Sequence, residues 1–330
     1  MKLVGNAEFR EMAPSAQDTP TTWLGRRPLR AILRVLVTLA GVGATGWALS
    51  AVWPEQDRVA RGAPPSVDNP ASLAPYPLEP VTLLLVGVDA DTLSASSNQA
   101  APKGPANADA LMLLRISSSE RLQLLQVPVE LAVQLPGSQQ PMALGGVWQK
   151  GGVALTIDAL REIIGLPEDV PQRYVVMSRK GLRAVVEALG EVEVTLNQSY
   201  QRTDKAQGYT VNLQAGRQSL DGAQAEQLVR YLKDSQDHPN RRIRQQMLLR
   251  AMISQVQAPS GIDIIQGLLE DIAGQVDTNL SEAEMRGLAA ALIASPSPAK
   301  ITRLPLATPA GKQILRQLKP GLSPPLWPSF

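Results

Sequence analysis

"VTLLLVGV", Val81 to Val88, is a continuous apolar run of the kind carried by a strand covered on both faces. Two more follow it. "ALMLLRI" (residues 110–116) and "RLQLLQV" (residues 121–127) are separated by Ser117-Ser118-Ser119-Glu120, which reads as a hairpin turn. Further on, the period changes from two to 3.6 and back. "TIDALREIIG" puts Ile157, Leu160, Ile163 and Ile164 on one helical face and stops at Gly165. "YVVMS" is a short strand. "SRKGLRAVVEALG" is a helix with Ser178 as N-cap, a Leu182, Val185, Val186, Leu189 stripe and Gly190 as terminator. "EVEVTL" alternates as a strand does, and "LDGAQAEQLVRYLKD" opens with a capping box, Asp221 and Gln224, ahead of Ala225, Leu228, Val229 and Leu232. "RRIRQQMLLRAMISQV" is a further amphipathic helix. Strands interleaved with helices predict one α/β domain over residues 81–305, a three-layer sandwich with a central mixed β-sheet covered by helices on both faces.

On the N-terminal side the composition changes. Residues 54–80, including "GAPPSVDNPASLAPYPLEP", are rich in Pro and Ala and predict an extended linker that cannot bury enough surface to order itself. Before it, "VLVTLAGVGATGWALSAVW" (residues 35–53) is uncharged and long enough to cross a bilayer as one transmembrane helix. Arg26, Arg27, Arg30 and Arg34 crowd its near end, and Glu55 and Asp57 follow its far end. The charge asymmetry predicts a cytoplasmic tail over residues 1–34, an uncleaved single-pass anchor in the cell membrane, and an extracytoplasmic main domain. Residues 306–330 form a Pro-rich C-terminal tail whose Trp327 and Phe330 are expected to dock on the domain.

Composition excludes several function classes. Lys+Arg number 32 against 30 Asp+Glu, so no global basic surface exists for nucleic acid, and any anion site must be local. The chain has no cysteine and a single histidine, His238, without a partner at ligand spacing, which argues against a zinc centre. Neither a nucleophile elbow nor a phosphate-binding G-x-x-x-x-G-K-[ST] loop occurs. What remains is a set of carboxylates at strand ends and arginines around one helix junction.

These residues carry a resemblance. "LLLVGVD", "NADALMLL", "LLQVPVE", "GGVWQKGG", "GEVEV", "LDGAQAEQLVRY" and "RRIRQQ", in this order, resemble the LytR-CpsA-Psr family, and the likeness extends to "VDTNLSEAEMRGLA". The resemblance implies a Mg²⁺- or Mn²⁺-dependent phosphotransferase of the cell envelope. Such an enzyme moves a glycopolymer from a polyprenyl pyrophosphate carrier at the lipid bilayer onto peptidoglycan, and it keeps an apolar tunnel for the lipid. It implies further that Asp89 and Asp109 hold the metal and act in catalysis together with Arg230, and that Arg230, Arg241, Arg244 and Gln245 bind the pyrophosphate. This chain departs from the pattern at three arginine positions, occupied here by Asn107, Val129 and Leu232. Arg115, Lys103 and Lys150 are candidates to compensate. The departures keep open an alternative, a non-catalytic scaffold of the same fold that binds polyprenyl-phosphate or wall polymers. Candidate tunnel-lining runs, residues 160–164 and 185–189, cannot be told from ordinary core by their period.

Overall fold

In the computed structural model the expected strand at Val81–Val88 (β1) is the spine of the main sheet. The structure describes residues 69–328 except 96, 99–103, 205–208, 235–236, 273 and 309–313. The expected cytoplasmic tail, the anchor over residues 35–53, the first part of the linker, Lys103 and Phe330 lie outside the described residues. Among the described residues no helix is long and apolar enough to cross a membrane.

Strand β1 is followed by β2 (Ala108–Ile116), β3 (Gln123–Val127), helix α1 (Trp148–Ile164), β4 (Arg173–Met177) and α2 (Arg179–Ala188). Then come β5 (Val192–Leu196), β6 (Tyr200–Asp204), β7 (Tyr209–Leu213), β8 (Gly216–Leu220), α3 (Gly222–Arg230) and α4 (His238–Val256). The chain continues through α5 (Gly261–Asp271), β9 (Val276–Thr278), α6 (Glu282–Ala294) and β10 (Lys300–Arg303). Six strands make one mixed sheet in the order β9-β4-β1-β2-β3-β10. The predicted hairpin pairs β2 with β3 antiparallel, Leu114 opposite Leu124, while β4 lies parallel to β1 and β10 parallel to β3.

Because side chains alternate along a strand, neighbouring residues enter different cores. Leu84, Val86, Leu111, Leu113 and Leu125 pack with Leu160 and Ile164 of α1. Leu83, Met112, Leu114 and Leu124 pack instead with Ile253 of α4 and Leu288 of α6. A third cluster joins Val185 and Val186 of α2 to Val192, Val194, Leu213 and Leu228. The fold is thus mixed α/β with a central mixed sheet, and residues 160–164 and 185–186 contribute buried side chains to core clusters.

Two helices differ from their expected extents. α1 begins at Trp148, and Gly151 and Gly152 interrupt it with non-helical angles, φ 58° at Gly152, which a side chain would disfavour. α3 ends at Arg230, and Tyr231 is extended with φ −52° and ψ 129°, so Leu232 leaves the predicted stripe. The cause is tertiary: Arg244 of α4 takes the carbonyls of Leu228 and Tyr231. At the chain's end, Trp327 is fully buried against the α1 side of the sheet, and the Leu326 N–H donates to the Ile164 carbonyl at 2.8 Å.

Candidate active site

Antiparallel pairing brings the end of β1 beside the start of β2, with Val88 opposite Ala108 and a register shift after Gly87. Asp89 and Asp109 therefore stand at the same edge of the sheet. The parallel strand β4 ends there too, and Ser178 caps α2 by accepting from the Gly181 N–H at 3.1 Å, which sets Arg179 at the first position of that helix. These residues share a cavity of about 780 Å³, open solvent at its mouth included, with Glu226 and Arg230 of α3 and Gln245 of α4. Its remaining wall is mostly apolar: Leu85, Met112, Met177, Leu182, Val229, Leu248, Leu249 and Met252 line it. An apolar wall beside a cluster of charged groups suits an amphiphile with an ionic head.

Asp89 is bracketed by Asn107, whose backbone N–H donates to Asp89 Oδ1 at 2.7 Å. Burial pushes the Asp89 carboxyl above the usual range, and the nearby Asp109 charge adds to this against the opposing pull of Asn107 and Arg179. Asp109 accepts from Arg241 Nη1 at 3.1 Å, and the Asp109 carbonyl accepts from Gln245 Nε2 at 3.2 Å. Arg241 also donates from Nη2 to His238 Nδ1 at 3.3 Å; since a guanidinium can only donate, that ring nitrogen is the acceptor. Arg241 is buried behind Asp109 and does not line the cavity.

Arg230 rests its guanidinium over the Tyr209 ring, 4.4 Å from the centroid, and donates to Glu226 Oε1 at 2.8 Å. Glu226 is 3 % exposed and pairs with two further arginines, Arg179 at 3.5 Å and Arg183 at 2.6 Å. Burial pushes the Tyr209 phenol up to about 12 despite the opposing charge of Arg230.

The structure therefore brings Asp89, Asp109, Arg230 and Gln245 to one cavity and sets Arg241 behind them. It does not bring Arg244 there. That side chain is 2 % exposed, ion-paired to Asp237 at 3.1 Å, and lies against the rings of Tyr200 and Tyr231. Its Nε and Nη2 hold the end of α3 and Asp237, and the side chain is not among those lining the cavity. Of the compensating cations suggested by sequence, Arg115 pairs with Glu120 at the far end of β2, and Lys150 is exposed on the first turn of α1, next to Gln149, whose Nε2 donates to Asn107 Oδ1. Arg179, Arg183 and Glu226 were not singled out by sequence. Arg179 looks like part of a polar helix face, and only its place directly after a strand end and an N-cap could have marked it.

Asp89 and Asp109 fit a divalent ion by their chemistry, two carboxylates at one sheet edge with the Asp109 charge close enough to raise the cost of ionising Asp89. No cluster of three or more acidic, His or Cys ligands occurs among the described residues. Phosphate oxygens would have to complete such a site.

A model of the LytR_cpsA_psr family matches residues 55–313. The chain is similar to the polyisoprenyl-teichoic acid–peptidoglycan teichoic acid transferase TagV of Bacillus subtilis, 24% identical over 263 residues, which cover 77% of this chain and 64% of the relative. It thus spans less than two thirds of that relative's length. Among solved structures, Bacillus subtilis TagV superposes with a TM-score of 0.59 at 19% identity, covering 74% of this chain and 91% of that one. A structure of TagT bound to LIIa-WTA gives 0.53 at 25% identity, covering 79% and 92%.

Proposed function

The chain belongs to the LytR-CpsA-Psr family, and from that premise we propose that it transfers a glycopolymer from a polyprenyl pyrophosphate carrier to a hydroxyl of peptidoglycan. One observation carries this reading: a single cavity combines a largely apolar wall with Asp89, Asp109, Arg179 and Arg230. The prenyl chain occupies the chamber and the diphosphate lies at the rim. The acceptor oxygen attacks the phosphorus bearing the glycan, a new P–O bond forms, the bridging P–O bond breaks, and polyprenyl monophosphate leaves while the hydroxyl proton passes to solvent. Negative charge grows on the departing phosphate, where the Arg230 guanidinium stabilises it, and the apolar wall keeps water from competing with the acceptor. Asp89 and Asp109 would hold a divalent ion of the Mg²⁺ or Mn²⁺ kind, which would supply charge to offset that of the diphosphate. Arg241 holds the Asp109 carboxylate from behind, and Gln245 holds the Asp109 backbone carbonyl from the cavity wall.

The same reading makes the sheet the middle of three layers, supported by its two faces entering different clusters. It also places the domain outside the cell on an anchor formed by residues 35–53, supported by the uncharged run and the arginines before it. A second reading, a scaffold that binds such polymers without transferring them, is favoured by Val129, which packs against an apolar cluster and leaves its position without a cation.

Incubating the full chain with a prenyl pyrophosphate-linked glycan, Mg²⁺ and peptidoglycan distinguishes the two. Release of prenyl monophosphate together with glycan bound through a phosphodiester is expected. Saturable binding of the donor with no release would leave only the scaffold.

A further inference from the structure

The charge balance at the rim depends on a residue outside the arginine pattern of the sequence. Arg179 occupies the first position of α2, where the positive end of the helix dipole opposes a cation. The fold keeps it there by ion pairs. Nη2 pairs with Asp91, Nη1 reaches Glu226 at 3.5 Å, and the side chain is only 12% exposed while lining the cavity. Its Nε–H is buried without an acceptor. A guanidinium that is placed against local electrostatics and left incompletely hydrogen-bonded is costly unless something else uses it. Glu226 supplies the second half of the argument. This one buried carboxylate serves three guanidiniums, Arg179, Arg183 and Arg230; with Asp91 on Arg179 counted, three cations face two anions, so the group keeps a positive excess and holds Arg179 beside Arg230. Two adjacent guanidiniums at the rim of an apolar chamber match the two phosphates of a prenyl diphosphate better than one does.

We propose that Arg179 is a second diphosphate-contacting residue of this cavity, reached from the start of α2 and aligned with Arg230 by the shared carboxylate of Glu226. The proposal rests on the function proposed above. It makes the site's cationic character independent of the positions held by Asn107, Val129 and Leu232.

Calorimetry on the full chain with geranylgeranyl diphosphate, geranylgeraniol and inorganic pyrophosphate tests it, with melting curves on every variant. In the wild type, the diphosphate is expected to bind more tightly than the alcohol. Arg179→Gln should weaken diphosphate binding about tenfold or more, the effect of one lost charge-assisted contact, and leave the alcohol unchanged. Equal loss for both ligands, or undiminished diphosphate binding, overturns the proposal while the proposed function stands. Wild-type protein that does not prefer the diphosphate to the alcohol overturns the proposed function, and this role of Arg179 with it. Inorganic pyrophosphate binding as tightly as the prenyl form would show a plain anion site and also count against it. Should Arg179→Gln not fold, Arg179→Lys carries the test: it keeps the charge without the fork, and unchanged diphosphate affinity would overturn the proposal.

Discussion

Asp89 and Asn107 hold each other across the start of β2: the Asp89 N–H donates to the Asn107 carbonyl at 3.0 Å, and the Asn107 N–H donates to Asp89 Oδ1 at 2.7 Å. Asn107 thus positions a candidate metal ligand through its backbone. Its side chain adds a hydrogen bond to the Asp89 carboxylate and accepts from Gln149 Nε2 at 2.5 Å.

Asn107→Arg keeps the backbone half of that bracket, gives up the side-chain half and adds a cation beside the diphosphate, so transfer should rise by about tenfold. Val129→Arg has a different outcome. Val129 packs into the apolar cluster, its carbonyl accepts from the Gly145 N–H at 2.8 Å, and a Cβ on Gly145 would come within 3.2 Å of the Val129 Cβ. Forcing an arginine into that packing should cost about 1–3 kcal/mol with no gain in rate. Transfer rates and melting temperatures of the two variants check the contrast, and a rate gain in Val129→Arg at unchanged stability would contradict it.

Asp89→Asn should melt at a higher temperature than the wild type at neutral pH and lose at least a hundredfold in transfer. Burial raises the Asp89 pKa, so the folded state resists ionisation, and the neutral amide removes that resistance. The sign follows: the advantage is present where the wild-type carboxyl is ionised, and it fades as pH falls through the raised folded-state value. Melting curves from pH 7 downwards should converge. A constant difference would show that charge is not the cause.

Arg244→Met should destabilise the domain by about 3–5 kcal/mol, because it strands the buried carboxylate of Asp237 and frees the end of α3. Burial opposes the Asp237 charge, but hydrogen bonds from Asn240, the Lys233 backbone and Arg244 outweigh it and hold the carboxyl below its usual range. Urea titration measures the loss. An unaffected midpoint would return Arg244 to the list of ligand contacts.

Tyr209→Phe should be neutral or slightly stabilising, since the Tyr209 hydroxyl is buried without a partner while the ring alone supports Arg230. Tyr209→Ala should weaken donor binding by loosening Arg230. If Tyr209→Phe lost as much affinity as Tyr209→Ala, the hydroxyl would have a role in the site.

Stability should decline as pH drops below about 6.5, in part through His238. Burial lowers its pKa first, with Arg241 and Arg242 adding to the effect and Glu130 and Asp109 opposing it. With the folded value below the unfolded one, the unfolded chain binds more protons between the two, so the contribution is complete above 6.5 and is lost as pH falls through the folded value. His238→Gln should flatten that part of the profile. An identical slope in both proteins would assign it to other groups.

Local signals carried much of the fold. The apolar run of β1, the Ser117–Glu120 turn, the Ser178 cap and the capping box of Asp221 and Gln224 each depend on neighbours in sequence, and each is found in the structure. What failed to show depends on distant contacts. The end of α3 is set by Arg244 from another helix, and the chamber is assembled from single residues on β1, β2, β4, α2, α3 and α4. No run in the sequence has the period of such a wall, and its three methionines, Met112, Met177 and Met252, are far apart in the chain. Asp89 and Asp109 could be named because the family resemblance marks the motifs that carry them, and the pairing of β1 with β2 brings the two to one edge. Arg179 and Glu226 were not, because a buried ion pair looks in sequence like two ordinary surface charges.

The burial of Trp327 bears on how the molecule is made. A ribosome delivers β3 long before its parallel partner β10, and the indole that completes the packing under α1 is delivered later still. Until then one sheet edge is bare and one core is missing its largest side chain. A domain made from its N-terminus would thus wait, incompletely closed, until Trp327 is delivered, and such a domain is the natural client of a holding chaperone.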